Sequence, residues 1–339
     1  MKAAILKQYS KPLVVEDVPR PSVRPNEVLI KVRACGICGT DLKTCAGKAG
    51  TKVPLIMGHE IAGEIVELGA GVSDIRVGDR GVVHFYLTCG KCAFCLSNRE
   101  TVCAHPLGRF GFNVDGGFAE YLAAPARNFI PIPESLTFTQ ACIVCDAIST
   151  TYRALSKAAI QPGEYVLVMG LGGLGIHAIQ IAKALGANVI GVDINPAKLE
   201  LAKQLGVEHV LRFEQDSSFV ENVRKEADGN PISAILETVS IPATVDADLK
   251  LLGPAGKLVL AGYTDVPVSI PPYALVLNEL SLHGSRASSR EDVRAVISLL
   301  EKGVVVPVVS KTYPLEEVNY AIEELRLGRC IGRQVITIG

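Results

Sequence analysis

The 339-residue sequence predicts an α/β chain in two parts, a β-rich first part and a doubly wound parallel sheet. Two observations carry this reading. Up to about residue 90, short β-type runs alternate with Pro and Gly turns; from about residue 163, apolar strands alternate with helical stretches. The length agrees, since a chain of this size makes about two domains that each bury a core.

In the first part the runs are Ala3 to Leu6, Glu27 to Val32, Ile61 to Val66 and Arg80 to Val83. The second alternates polar and apolar residues at period two, as a half-buried strand does, and Gly69, Gly71, Gly78 and Asp79 mark turns. Functional groups would then sit on connecting loops: Cys38, Thr40 and Asp41 in one, and Gly58-His59-Glu60 in another. A thiolate and a neutral imidazole both ligate zinc, and an open site needs only three protein ligands. Taken alone, Cys38 is as easily a small buried apolar residue and His59 a hydrogen-bonded core histidine.

Cys89, Cys92, Cys95 and Cys103 follow with spacing C-x2-C-x2-C-x7-C, which can close around a tetrahedral ion as a structural zinc site does. Two local disulfides or an iron–sulfur cluster are the alternatives; a reducing compartment disfavours the first and the spacing the second. A closed site of this kind holds a lobe together and leaves no open coordination position. After Ser135 an apolar stretch carries Asp146, and a buried carboxylate there needs a metal, an arginine or a helix N-terminus as partner.

The second part opens with the apolar run Tyr165 to Met169, then Gly170-Leu171-Gly172-Gly173-Leu174-Gly175, then a helical pattern over Ile176 to Gly186. A second strand, Val189 to Val192, ends at Asp193, 18 residues after the third glycine of G-x-G-x-x-G. In this strand–turn–helix–strand setting the glycines let a pyrophosphate approach backbone N–H groups, and the acid accepts hydrogen bonds from a ribose. Asp193 would repel a 2′-phosphate and no arginine follows it, so NAD is expected rather than NADP. Asn195 caps the next helix with Pro196 at its first position. Strands near 208–211, 232–236, 257–261 and 280–283, and a helix at about 243–252 stopped by Gly253-Pro254, complete a six-stranded sheet. Helices at about 290–302 and 315–327 and a strand at 333–338 are expected to pack back on the first part.

Hydrophobic residues make up 48% and charged residues 20%, and 34 Lys plus Arg against 35 Asp plus Glu argue against a large basic nucleic-acid surface. The N-terminus lacks a signal-peptide run, so a cytoplasmic location is expected. The uncharged run Tyr165 to Ala182 reaches the lower edge of membrane-span length, but its glycines make a membrane span a poor reading.

Taken together, Gly58-His59-Glu60-x-x-Gly63, the four-cysteine lobe and the dinucleotide fingerprint resemble, over essentially the whole chain, the zinc-dependent alcohol dehydrogenases of the medium-chain dehydrogenase/reductase superfamily. The resemblance implies a discontinuous GroES-like catalytic domain, 1–147 and 286–339, an NAD-binding Rossmann domain, 148–285, and an active site in the cleft between them. Cys38, His59 and Asp146 look like the catalytic zinc ligands of some microbial members. Asp146, rather than Cys145, stands six residues before Tyr152 with Ser149-Thr150 between. Glu60 would lie behind the metal, Asp41 would orient His59, and Thr40 would take the alcohol proton, with Lys43 where better-known members have a histidine. Thr150 and Leu174 match positions on the nicotinamide, and Lys198 and Arg333 match ribose and pyrophosphate contacts. Phe85 matches a pocket wall.

The implied reaction is NAD-linked interconversion of an alcohol and its aldehyde or ketone, with one catalytic and one structural zinc per subunit and, by resemblance to compact microbial members, a homotetramer. Lys43 and Arg109, if near the pocket mouth, would favour a carboxylate-bearing or CoA-linked hydroxy substrate instead. A zinc- and NAD-binding protein without turnover is the rival from another class.

Overall fold

The computed structural model describes the whole chain apart from the side chain of Ser217. The chain divides into two compact units: Met1–Ser149 with Ser288–Glu301 and Pro307–Gly339, and Thr150–Ala287 with Lys302–Val306.

The first unit is organised by one long strand, Glu27–Ile37, which pairs antiparallel with Glu60–Leu68 on one side and Arg333–Thr337 on the other. Arg80–Val83 and Phe129–Pro131 extend the sheet beyond Glu60–Leu68, and Val309–Pro314 extends it beyond Arg333–Thr337. The strand runs five residues past the expected Val32 because its second half, although it carries Arg33 and Gly36, is paired on both edges. The C-terminal strand thus packs back on the first part, as expected.

Register does the positioning. Gly36 faces Glu60 and Ile37 faces Gln334, so Cys38, His59 and Arg333 all fall at one end of the sheet. The pairing also demands a glycine: a Cβ on residue 36 would lie 1.9 Å from Glu60 Oε2.

The second unit is a six-stranded, all-parallel sheet in the order His209–Arg212, Asn188–Asp193, Tyr165–Met169, Ile232–Glu237, Leu252–Leu260, Ser281–Gly284. Its core is apolar, with Leu167, Ile190, Ile235 and Leu258 fully buried. Helix Pro242–Leu251 leads straight into the strand Leu252–Leu260, so Gly253-Pro254 lies inside the strand rather than between elements. Helix Ala147–Ala158, which enters this unit from the first, was outside the sequence reading, as were two helices within it, Ser217–Glu226 and Pro272–Asn278. The second buries none of its residues and exposes Tyr273, Val276 and Leu277, so it has no core-facing stripe for periodicity to reveal. Among the described residues no helix is long and apolar enough to cross a membrane.

Candidate active site

At the sheet end set by that register, the 3₁₀ turn Cys142–Cys145 brings Asp146 against Cys38 and His59. Asp146 Oδ2 lies 3.3 Å from Cys38 Sγ and 3.8 Å from His59 Nε2. Cys38, His59, Glu60 and Asp146 are all buried and each offers a ligand atom, these atoms lying within 4.8 Å of one another. Cys145, fully buried, is outside this group. A tetrahedral zinc with bonds of about 2.3 Å to sulfur and about 2.0 Å to nitrogen or oxygen sets edges of about 3.3–3.5 Å between them. Cys38, His59 and Asp146 therefore fit zinc in spacing and in ligand type.

The helix Gly39–Cys45 orients two ligands at once. Its N-cap is Cys38, whose Sγ accepts the Thr40 N–H at 3.4 Å, while Asp41 Oδ2 accepts the Cys38 N–H at 2.8 Å. Asp41 Oδ1 lies 3.2 Å from His59 Nδ1, which leaves Nε2 directed at Asp146. Thr40 Oγ1 sits 3.5 Å from Cys38 Sγ. Lys43, on the same helix, is half-buried.

Arg333 is buried in the cluster, with Nη2 at 2.9 Å from Asp146 Oδ2, 2.9 Å from Glu60 Oε1 and 3.3 Å from Cys38 Sγ, contacts that the sequence reading did not include. The Glu60 contact has ion-pair distance without hydrogen-bond alignment, and both Glu60 oxygens are buried without a hydrogen bond among the described residues. Burial would raise the Asp146 pKa, but the hydrogen bond from His59 and the Arg333 charge hold it well below the carboxylate range. Burial dominates at Glu60 and pushes it up to about 8 even beside Arg333. Burial disfavours a charged His59; Asp41 and Asp146 outweigh it and raise its pKa. The cluster is rich in groups that become anions, a surplus that a divalent cation would balance.

An aromatic wall covers the imidazole. Phe85 meets it edge-on at 5.2 Å and Phe112 lies 4.7 Å away. Phe112 was missed by sequence reasoning; the only trace is its place between the turn residues Gly111 and Asn113. Arg109 stacks 4.5 Å over Phe112 and donates to the Ala49 carbonyl at 2.7 Å, so its charge is already engaged by the protein.

The four-cysteine group also closes. Four of its six sulfur pairs lie 3.5 to 3.9 Å apart and all lie within 4.8 Å, against about 3.8 Å for a tetrahedral zinc with bonds of about 2.3 Å. The Cys95 and Ala104 N–H groups push the Cys92 thiol down to about 6, whereas burial pushes Cys95 up to about 11. Glu100 within this lobe accepts the backbone N–H and Nε–H of Arg290, tying the lobe to helix Arg290–Glu301.

In the second unit, the glycine turn leads from the strand Tyr165–Met169 into helix Gly175–Ala184. A Cβ at 175 would meet the Gly170 carbonyl oxygen at 1.8 Å, whereas one at 172 would meet nothing within 4 Å, leaving open space beside the turn. Gly173, whose carbonyl accepts from His177 Nδ1, and the half-buried Leu174 complete the turn. Asp193 Oδ2 accepts the Leu171 N–H at 2.7 Å and lies 3.5 Å from Lys198 Nζ, so acid and lysine face each other beside the turn. The strand order reverses between Tyr165–Met169 and Ile232–Glu237, and such a crevice outside the strand ends is where a parallel sheet of this kind takes a dinucleotide. Open space, turn and acid fit NAD. Thr150, at the start of this unit, is buried.

Residues 24–134 match the alcohol dehydrogenase GroES-like domain and residues 173–302 match the zinc-binding dehydrogenase domain. The chain is 38% identical over 341 residues to the alcohol dehydrogenase of Geobacillus stearothermophilus, with all of both sequences covered. It is 35% identical over 348 residues to the NAD-dependent alcohol dehydrogenase of Sulfurisphaera tokodaii, covering 99% of each. The crystal structure of the alcohol dehydrogenase from Aeropyrum pernix superimposes with a TM-score of 0.92 at 33% identity, covering 99% of this chain and 100% of that one.

Proposed function

The chain belongs to the zinc-dependent alcohol dehydrogenase family, and on that premise we propose how its residues divide the chemistry. It is an NAD-dependent oxidoreductase that interconverts an alcohol and its aldehyde or ketone. Cys38, His59 and Asp146 would hold the catalytic zinc, and Cys89, Cys92, Cys95 and Cys103 the structural one, two ions per subunit. When bound, the catalytic zinc supplies Lewis acidity to an alcohol oxygen and NAD⁺ accepts the hydride.

The protein's own side chains do the rest. Asp41 fixes the His59 ring through Nδ1, and Thr40 Oγ1 takes the alcohol proton and passes it outward. Arg333 balances Asp146 and Glu60, and we assign it to that role in place of the pyrophosphate. The glycine turn receives the pyrophosphate, Asp193 and Lys198 the adenosine ribose, and Thr150 and Leu174 the nicotinamide. Phe85 and Phe112 keep water from the imidazole. With Arg109 bound to Ala49, the wall suits an uncharged alcohol better than a carboxylate.

The observation that carries the reading is the convergence of Cys38, His59 and Asp146 from three distant segments. Metal analysis combined with a panel of butanol, a secondary alcohol, 4-hydroxybutyrate and a hydroxyacyl-CoA, read at the NADH wavelength, tests it. We expect two zinc ions per chain and turnover of the neutral alcohols; no turnover of any alcohol by the zinc-loaded protein would overturn it. A cytoplasmic homotetramer completes the proposal, and light scattering of the purified protein tests the assembly.

A further inference from the structure

The second unit holds another buried pair of carboxyls, outside the metal chemistry. Glu237 ends the strand Ile232–Glu237, Asp248 lies on helix Pro242–Leu251 packed against it, and both residues are 0% exposed. On the same strand and helix, Ile235, Val245 and Leu251 are buried in the apolar core of this unit. Glu237 Oε1 accepts the N–H groups of Val239 at 2.5 Å and Ser240 at 2.8 Å. Glu237 Oε2 and both Asp248 oxygens have no donor among the described residues unless one carboxyl keeps a proton. The two buried carboxyls are each other's electrostatic partner, and two ionised carboxylates so placed repel strongly, so one proton between them is the stable arrangement. Glu237, already accepting two amides, is the acceptor, and Asp248 is the donor.

The segment this pair holds is Thr238–Ser240, the loop leaving the strand at the point where the sheet order reverses. It is tied on its other side as well: Thr238 Oγ1 lies 2.9 Å from the Met169 carbonyl oxygen and 3.0 Å from that of Gly170, and Ser240 Oγ donates to the Gly262 carbonyl at 2.9 Å. The loop is therefore built against the first residue of the glycine turn. We propose that Asp248 and Glu237 share one proton and act as a positioning pair that shapes the Thr238–Ser240 wall of the dinucleotide crevice; this rests on the reading that the crevice binds NAD.

Among the described residues no other charge answers this pair. Helix Ser217–Glu226 directs Arg224 to the Lys250 carbonyl, the strand Leu252–Leu260 directs Lys257 to the Ala158 carbonyl, and Lys250 pairs with Asp246 on the exposed face of the Asp248 helix. Burial, then Glu237, push the Asp248 carboxyl well above the usual range. The folded chain thus keeps a proton that the unfolded chain releases. The contribution is full below the pH at which a free aspartate ionises and is lost as pH rises through the titration of folded Asp248.

The test is titration of the zinc-loaded full-length protein with NADH, followed by nucleotide fluorescence from pH 6 to 10, with thermal melts on the same samples. The wild type should bind NADH more weakly as pH rises; Asp248→Asn, whose amide donates to Glu237 at every pH, should keep the wild-type Kd at pH 7 and lack that weakening. Asp248→Ala should bind NADH about tenfold more weakly at pH 7, the scale of one buried acceptor left unpaired, with zinc content unchanged. An alkaline limb identical in wild type and Asp248→Asn would overturn the proposal. So would an Asp248→Ala protein that melts lower but binds NADH normally, since the pair would then only support the fold. Failure of the wild type to bind NADH at any pH would instead refute the cofactor reading itself.

Discussion

The two groups of the first unit that could hold a metal are built in opposite ways. The four cysteines come from one 15-residue stretch, and three of them are half-exposed. Their partners are backbone amides of the same loop, such as the N–H groups of Cys89 and His105 on Cys103 Sγ. Cys38, His59 and Asp146 come from segments up to 108 residues apart, are buried, and are held by strand register and by Asp41 and Arg333. A loop site of the first kind depends on its ion for shape. A site of the second kind is shaped by the sheet, and the ion adds charge and reactivity.

That contrast can be broken at either end. The largest effect should come from Asp146→Ala, which we expect to lower kcat/KM by about 10³-fold or more, beyond the ten- to hundredfold typical when a residue behind a ligand is lost. Metal analysis should then find the four-cysteine zinc alone; full zinc and full turnover would remove Asp146 from the ligand set. Next, Arg333→Met leaves Asp146 and Glu60 without their counter-charge, a change worth about 3–5 kcal/mol for a broken buried pair. Denaturant melts should show the loss mainly in zinc-stripped protein, because a bound ion replaces the missing charge. Equal loss with and without zinc would mean that Arg333 serves packing alone.

At the other end, Cys95→Ser removes the buried cysteine of the lobe. The melting temperature should fall by about 5–10 °C, with amide exchange rising over residues 89–103 while the catalytic zinc stays in place. Exchange that spreads instead to residues 38 and 59 would show the two groups to be coupled. The smallest effect is chemical. In zinc-stripped protein at pH 7, iodoacetamide should label Cys92 well before Cys95, since a thiol with pKa lowered to about 6 is mostly thiolate above that pH and one raised to about 11 is not. Peptide mass analysis reads the order directly.

The same contrast explains what was legible in the sequence. The four-cysteine lobe and the glycine turn are local, so spacing alone displays them. Cys38, His59 and Asp146 could be grouped only by resemblance, because their meeting depends on which residue faces which across the sheet; the glycine that the pairing demands at position 36 is visible in the sequence, but its partner Glu60 is not. Arg333 shows the limit: the residue could be marked as important, but its place beside Cys38 follows from the pairing of Gln334 with Ile37. Phe112 and Arg109 sit on a turn with no periodicity, and the pairing of Glu237 with Asp248 joins a strand to the helix after it, where each acid alone looks like a surface residue.

Gly36 and Gly39 stand three residues apart on either side of Cys38, and they set different limits on how this protein can be altered. Position 39 opens onto free space, so a redesign of the pocket can try side chains there. Position 36 touches no reactant, yet any side chain would evict the Glu60 carboxylate from its slot beside Arg333. Randomising this loop for new substrates should return variety at 39 and only glycine at 36, a dead position in the library created by a carboxylate on the neighbouring strand.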